Sequence, residues 1–388
     1  MTRHKSGQQK DGLAKRGSKW SYIVRAQDPI SGVTKQKWIS GFKTKEEAKN
    51  ARDLGRAEAH QGVFVSPTKI TVEAFFRSWL GVHSLSLKSS TEVGYRENIE
   101  RYIIPRIGKT PLSNLRKPQI QQLYADLFRE GGKDGKPLSA RTVEYVASVL
   151  KKGLAYAVEV EGLLAKNPAS RIPLPKGTPR RNEPWSPREL KIFLEGVSAH
   201  RLFAFFRLAA YSGARRGEMC ALKWSDFDSE GKKLTISKNR LRAGRETLEQ
   251  ASTKGGEGRR VISLDDETVD ILRAHRRRQL EERLLAGTEW IETGYIFVQE
   301  IGQPISVGAP SQLLTKVKGR LGLPAQCLHD LRHLHATQLL QAGVPLHVVA
   351  QRLGHRDAMV TATIYAHVTT DQASQVANIF AKAVEVGA

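Results

Sequence analysis

Three stretches in the C-terminal half carry side chains whose types and spacing suit chemistry on a phosphate. They are Ser212-Gly213-Ala214-Arg215-Arg216-Gly217-Glu218, then His329-Asp330-Leu331-Arg332, then Leu353-Gly354-His355 with Tyr365 ten positions further on. A guanidinium stays charged at every accessible pH and offers a planar fork of donors that matches two phosphate oxygens. An imidazole accepts or shares a proton near neutrality. A phenol is a nucleophile once its proton is taken or neighbouring cations stabilise its charge. Singly, each stretch has a plainer reading: an arginine facing solvent after a glycine turn, a chance HxxR on a helix, a tyrosine in half-buried packing. Their conjunction, in one order and in a basic chain, points to phosphodiester chemistry.

The charge of the whole chain agrees. Among 388 residues there are 62 Lys+Arg and 39 Asp+Glu, a net charge of +23. Such a surplus favours a polyanionic partner through counterion release, although a basic surface can also serve solubility alone. Cys220 and Cys327 lie far apart with no CxxC spacing, which excludes a disulfide framework and a zinc-thiolate site. His329, His333 and His335 are close in sequence, but HExxH is absent and no third ligand is evident. No metal or other cofactor is expected. Met1 to Gly17 has no apolar run of the kind a signal peptide needs, and the long apolar stretches are interrupted by charges. An intracellular, cytoplasmic protein is therefore expected.

The order and wording of these motifs resemble the tyrosine recombinases of the phage-integrase type. The motif residues of that family fall on Arg215, His329, Arg332, His355 and Tyr365; Glu218 matches the family's supporting carboxylate, and Trp224-Ser225-Asp226 is its usual continuation. The resemblance implies strand cleavage through a 3′-phosphotyrosyl intermediate on Tyr365. Attack on a phosphodiester builds negative charge on the non-bridging oxygens, and Arg215 and Arg332 would clamp them. An unperturbed phenol has a pKa of about 10, so Tyr365 needs a partner for its proton. His329 is the expected helper, with His355 hydrogen-bonding the phosphate from the other side. The 5′-oxygen leaving group needs a proton as well, which the family takes from a lysine on a β-hairpin turn. Lys254, in Thr253-Lys254-Gly255-Gly256, is the choice, and Lys238 is the competitor because an insertion carrying Arg240, Arg242 and Arg245 obscures the register. The tyrosyl linkage keeps the energy of the broken bond, so rejoining needs neither ATP nor a metal.

The elements that must hold these residues are legible in outline. The reading is a multidomain α+β chain: an arm-type DNA-binding module (1–66), a helical core-binding, SAM-like domain (67–166), a linker (167–184) and a mostly helical catalytic domain with a small antiparallel sheet (185–388). In the first module, Lys19 to Ala26 and Lys35 to Phe42 alternate as two strands around a Pro29–Gly32 turn. Thr44-Lys45-Glu46-Glu47 then caps a helix with Ala48, Ala51 and Leu54 as its apolar stripe. Between Met1 and Pro67 there are 14 Lys/Arg and 6 Asp/Glu, so this module is basic. Its resemblance is to the arm-site-binding domain of the larger, lambda-like integrases. The next segment, Thr71 to Leu164, reads as about four helices, one capped by Ser89 and ended by Pro105, one opened by Pro118, one opened by Ser139. Prolines 168, 173, 175, 179 and 184 mark a stiff connector. Beyond it Ser186-Pro187-Arg188-Glu189 starts a capped helix, Leu234–Ser237 and Arg260–Leu264 read as strands, and Leu346–Leu353 is a helix that Gly354 breaks. A short helix from Ala358 would deliver Tyr365, and a terminal helix over 372–386 would dock on a neighbouring subunit.

The resemblance further implies double-stranded DNA with core and arm sites as substrate, and a homotetramer on that DNA. An excisionase partner and a DNA-bending host factor are also implied. The alternative is a type IB topoisomerase, which shares the Arg, Lys, Arg, His, Tyr chemistry but not an arm module. A non-catalytic DNA-binding regulator would not need the six side chains.

Overall fold

The computed structural model describes residues 12–27, 34–60, 69–177, 184–243, 246–251 and 259–355. The chain divides into two compact units, Met1–Pro179 and Arg180–Ala388.

The first unit opens with β1 (Leu13–Arg16), β2 (Lys19–Gln27) and β3 (Thr34–Phe42), an antiparallel sheet in the order β1-β2-β3, followed by α1 (Lys45–His60). Leu13, Tyr22, Val24 and Ala48 form its small core. The helix is capped as expected, with Glu47 N–H donating to the Thr44 hydroxyl at 3.1 Å and Thr44 N–H to the Glu47 carboxylate at 3.3 Å. Two expectations change. A third strand, β1, joins the hairpin; its only strong signal is Leu13, and pairing with β2 supplies the rest. Leu54 is 63% exposed, so the inward side of α1 is the buried Ala48 with the partly buried Ala51. The Pro29–Gly32 turn lies outside the described residues.

The same unit continues with α2 (Val72–His83), α3 (Ser89–Asn98), a π-helical turn (Ile99–Ile103), α4 (Ile104–Ile107), α5 (Lys117–Glu130) and α6 (Ala140–Glu159). Phe75, Phe76, Trp79, Ile103, Leu123, Leu150 and Leu154 are among its buried residues. Here too the sequence reading needs correction. The N-cap of α3 is Lys88, one residue early, which puts Glu92 in reach of Arg96 at 2.6 Å rather than of the cap. Pro105 does not end the helix, because the wide π turn before it accommodates the ring and α4 carries on to Ile107.

The second unit begins with α7 (Pro187–Gly196), whose capping box joins Ser186 and Glu189. It continues with α8 (Phe203–Ser212) and α9 (Arg216–Ala221). The strands β4 (Phe227–Asp228), β5 (Lys233–Ile236), β6 (Lys238–Ala243), β7 (Glu246–Ala251) and β8 (Arg260–Ser263) form two sheets, β4-β5-β8 and β6-β7. The insertion anticipated after β5 is therefore a separate hairpin, and β5 pairs directly with β8. The helices α10 (Asp266–Ala286), α11 (Ala309–Arg320), α12 (Leu328–Gln341) and α13 (Leu346–Leu353) complete the described part. Phe193, Phe205, Phe206, Phe297, Leu328, Leu331 and Leu334 share one core, so α12 is held against α8 along its apolar side. Among the described residues, no helix is long and apolar enough to cross a membrane.

Candidate active site

The first motif is built by a helix end. α8 stops at Gly213, whose φ of +64° is the left-handed conformation that ends helices. A Cβ there would also sit 2.7 Å from Leu353 Cδ2 and 2.9 Å from His335 Cδ2, so only glycine lets α8 approach α12 and α13 this closely. The chain then enters α9 with Arg215 as N-cap. Arg215 donates its backbone N–H to Glu218 Oε2 at 2.9 Å and its Nη1 to Glu218 Oε1 at 2.9 Å. Glu218 is 1% exposed, whereas the Arg215 side chain is 38% exposed. Burial pushes the Glu218 carboxyl up, but hydrogen bonds and charge from Arg260, then Arg215, outweigh it and hold the pKa at about 2. Glu218 is thus a fixed anion behind a guanidinium that faces outward.

The second motif lies at the start of α12, where Cys327 N–H donates to Asp330 Oδ2 at 2.6 Å. Arg332 is 2% exposed, and its Nη1 donates to the carbonyl of Gly213 at 2.8 Å. That bond ties the second arginine to the turn that carries the first. Three residues apart on a helix, His329 and Arg332 lie on the same side. His329 meets His333 edge to face with ring centroids 4.7 Å apart.

The third motif closes the cluster. α13 ends at Gly354, again left-handed at φ +68°, and His355 N–H donates to Ala350 O at 3.0 Å. The Gly354 carbonyl accepts from Arg215 Nη2 at 3.4 Å, which brings the residue beside His355 onto the first arginine. Burial, followed by the charges of Arg332, Arg215 and Arg260, lowers the His355 pKa to about 4. His329 is lowered by burial and then by His333 and Arg332. Both imidazoles are held in the neutral form at pH 7.

Arg215, Glu218, His329, Arg332 and His355 are therefore brought together in the second unit. Lys254 and Tyr365 lie outside the described residues, as do the segments expected to form the helix leading to Tyr365 and the terminal helix. The competitor Lys238 is occupied: its Nζ pairs with Glu249 Oε1 at 2.8 Å across the β6-β7 hairpin, and the carboxylate raises its pKa. A lysine held this way gives up a proton less readily. Glu249 also accepts from the Tyr295 hydroxyl. Among the described residues, no group of three or more His, Cys, Asp or Glu is arranged to hold a metal ion.

Two arginines of this region were not singled out by sequence. Arg260 is 6% exposed on its side chain and bridges Glu218 through Nη1 at 3.2 Å and Nη2 at 2.8 Å. Arg352 Nε donates to His335 Nε2 at 3.0 Å. Strand parity carried the signal for Arg260, since it shares the inward face of β8 with Ile262, and an inward arginine demands a buried anion.

Residues 188–372 match the phage integrase family, residues 13–53 an Arm DNA-binding domain, and residues 71–128 a phage integrase N-terminal SAM-like domain. Over 351 residues the chain is 33% identical to a XerC-like tyrosine recombinase of Caldanaerobacter subterraneus subsp. tengcongensis, covering 85% of this chain and 88% of that protein. The chain belongs to the phage integrase family of tyrosine recombinases. Its fold is that of solved integrases. It is similar to the Tn1549 transposon integrase in complex with a circular intermediate DNA, with a TM-score of 0.67, 20% identity, and 80% of this chain and 99% of that one covered. It is also similar to a lambda integrase tetramer bound to a Holliday junction, with a TM-score of 0.59, 18% identity, and coverage of 92% and 96%. As a tyrosine recombinase it is a DNA strand-cutting and rejoining enzyme acting in site-specific recombination.

Proposed function

We propose that this recombinase cleaves DNA with Tyr365 as nucleophile, forming a 3′-phosphotyrosyl bond, while Arg215 and Arg332 bind the non-bridging oxygens of the scissile phosphate. The convergence of Arg215, His329, Arg332 and His355 around the Gly213 and Gly354 turns carries the reading. Neutral His329 takes or shares the phenol proton, and His355 donates its remaining N–H to a phosphate oxygen. Lys254 protonates the 5′-oxygen as it leaves; the engagement of Lys238 with Glu249 supports this choice. The phosphotyrosyl bond stores the energy of the phosphodiester, so rejoining by a partner 5′-hydroxyl proceeds without ATP. Fixed guanidiniums and an ammonium supply the positive charge that a metal would otherwise provide.

The proposed division is an arm-site module in 1–66, a core-binding domain in 67–166, a linker in 167–184 and the catalytic domain in 185–388. Core and arm sites of duplex DNA are the substrate, and a homotetramer is the working assembly, in line with the lambda tetramer named above. An excisionase sets direction and a DNA-bending host factor assists, with the reaction taking place at the nucleoid in the cytoplasm. The type IB topoisomerase alternative draws no support from the Arm domain match.

A half-site duplex nicked next to the scissile position tests the proposal. Wild type attaches covalently to the 3′ end, Tyr365→Phe binds without attaching, and Arg215→Ala or Arg332→Ala attaches about a hundredfold more slowly. Attachment by Tyr365→Phe at the wild-type rate would overturn it.

A further inference from the structure

We propose that Arg260 is a positioning residue for strand cleavage, the joint through which β8 sets the direction of the Arg215 guanidinium and the place of the Gly354–His355 turn. The inference rests on the recombinase reading above and adds to it a residue, 6% exposed on its side chain, that acts through Arg215.

Three contacts carry it. Arg260 Nη1 and Nη2 bridge the two oxygens of Glu218 at 3.2 Å and 2.8 Å. Each of those oxygens also accepts from Arg215, Oε1 from Nη1 and Oε2 from the backbone N–H. The carboxylate is thus shared, with one guanidinium on its buried side and the other turned outward. The Nε of Arg260 donates to the carbonyl of Arg352 at 2.8 Å, in the last turn of α13. The next contact follows from Gly354: a Cβ on it would lie 2.7 Å from Arg260 Nη1, so the turn before His355 rests directly on the guanidinium. The carbonyl of this same glycine accepts from Arg215 Nη2.

Arg260 therefore holds both supports of Arg215, the Glu218 carboxylate and the Gly354 turn. It is also the first residue of β8, paired with Ile236, so it anchors the strand that follows Lys254 in sequence. The fork geometry is essential. A lysine in its place keeps one charge but cannot bridge two carboxylate oxygens and a carbonyl at once. Without Arg260, the Glu218 carboxylate draws the Arg215 guanidinium inward, away from a phosphate.

Among the described residues, the charged and titratable groups around this joint include Arg215 from α9, His329 and Arg332 from α12, Arg352 from α13, His355, and Asp265, whose charge acts on Arg352. The arginines hold Glu218 ionised, and the imidazoles are neutral at pH 7. Removing Arg260 takes away the largest influences that offset burial, so Glu218 titrates at higher pH.

The test uses the full chain and the nicked half-site, with Arg260→Met, Arg260→Lys and the double variant Glu218→Gln/Arg260→Met. Attachment rate, half-site affinity and thermal unfolding are measured from pH 5 to pH 8. In Arg260→Met attachment falls on the order of a hundredfold at pH 7, while half-site Kd changes less than about threefold. Its rate falls more steeply toward pH 5 than that of wild type or of the double variant. Arg260→Lys keeps the wild-type profile, because a charge remains, but stays slow because the fork is lost. Should Arg260→Met fail to fold, Arg260→Lys decides: wild-type attachment there overturns the proposal. So does a slowed Arg260→Met with the wild-type pH profile, which marks Arg260 as a stability residue only. Failure of wild type to attach would instead overturn the recombinase assignment of residues, and is read separately.

Discussion

The Nε–H of Arg352 donates to Nε2 of His335 across 3.0 Å, which fixes His335 as a neutral acceptor on α12 and binds α13 to it. Burial, then the charge of Arg352, lowers the His335 pKa to about 4, against the backbone hydrogen bond to Ala210 that raises it. Arg352 reaches on to the carbonyls of Ser263 and Tyr211 at 3.2 Å and 3.0 Å, so one side chain joins α12, α13, β8 and the end of α8.

His335 makes this joint acid-sensitive. A histidine with a folded pKa below its unfolded value of about 6.5 binds its proton first in the unfolded chain. Its stabilising effect is complete above that value and is lost as pH falls from about 6.5 toward 4. Urea unfolding at pH 7.5, 6, 5 and 4.5 should show a decline that is shallower in His335→Leu, with lower stability of the variant at pH 7.5. Equal slopes would show that His335 titrates alike in both states.

Glu218→Gln removes the anion from between two arginines. The Arg260 side chain, 6% exposed, would be left as a buried charge without its carboxylate. Breaking such a pair costs roughly 3 to 5 kcal/mol. Equilibrium denaturation should find a loss of that size, and a change under about 1 kcal/mol would mean that water reaches the pair.

Gly217→Ala tests the seat of the inserted hairpin. A Cβ on Gly217 would lie 1.9 Å from Asn239 Oδ1 and 2.6 Å from the Arg240 carbonyl, so β6 must move off α9. Arg240 is buried there, with Nη1 donating to the carbonyls of Cys220 and Ile305 at 3.3 Å and 3.2 Å. A destabilisation of about 1 to 3 kcal/mol is expected from overpacking. Attachment should slow as well, since Lys254 follows this hairpin in the chain. An unchanged melting temperature would contradict the packing described.

His355 should change protonation when DNA binds. Its pKa of about 4 reflects burial and then the repulsion of Arg332, Arg215 and Arg260. A scissile phosphate supplies the opposite charge and raises it. Imidazole NMR of Tyr365→Phe, free and with half-site DNA, should show the His355 titration moving to higher pH in the complex. A shift downward or none would separate His355 from the phosphate.

Much of this site was legible because each motif is tied to a local rule. Gly213 and Gly354 end helices in the left-handed conformation, Glu218 sits at capping distance from Arg215, and His329 and Arg332 share a helix side. Such rules act within a few residues and can be read from spacing. The short strand β1 could not, because its apolar content is little more than Leu13 and its stability comes from pairing with β2. Arg260 and Arg352 were missed for a related reason. Their partners lie 42 and 17 residues away, so the parity that places Arg260 on the inward face with Ile262 gains its meaning only once Glu218 is seen opposite it. The helix past Pro105 depended on a π turn, which leaves no mark in the apolar period.

The central claim is that one phenol attacks the phosphate held by Arg215 and Arg332. The most direct measurement traps the protein on a nicked half-site, digests it with trypsin and locates the nucleotide adduct by mass spectrometry. The account predicts the adduct within residues 357–382, on Tyr365, the one tyrosine of that peptide. An adduct on any other residue, with Tyr365 unmodified, would contradict it.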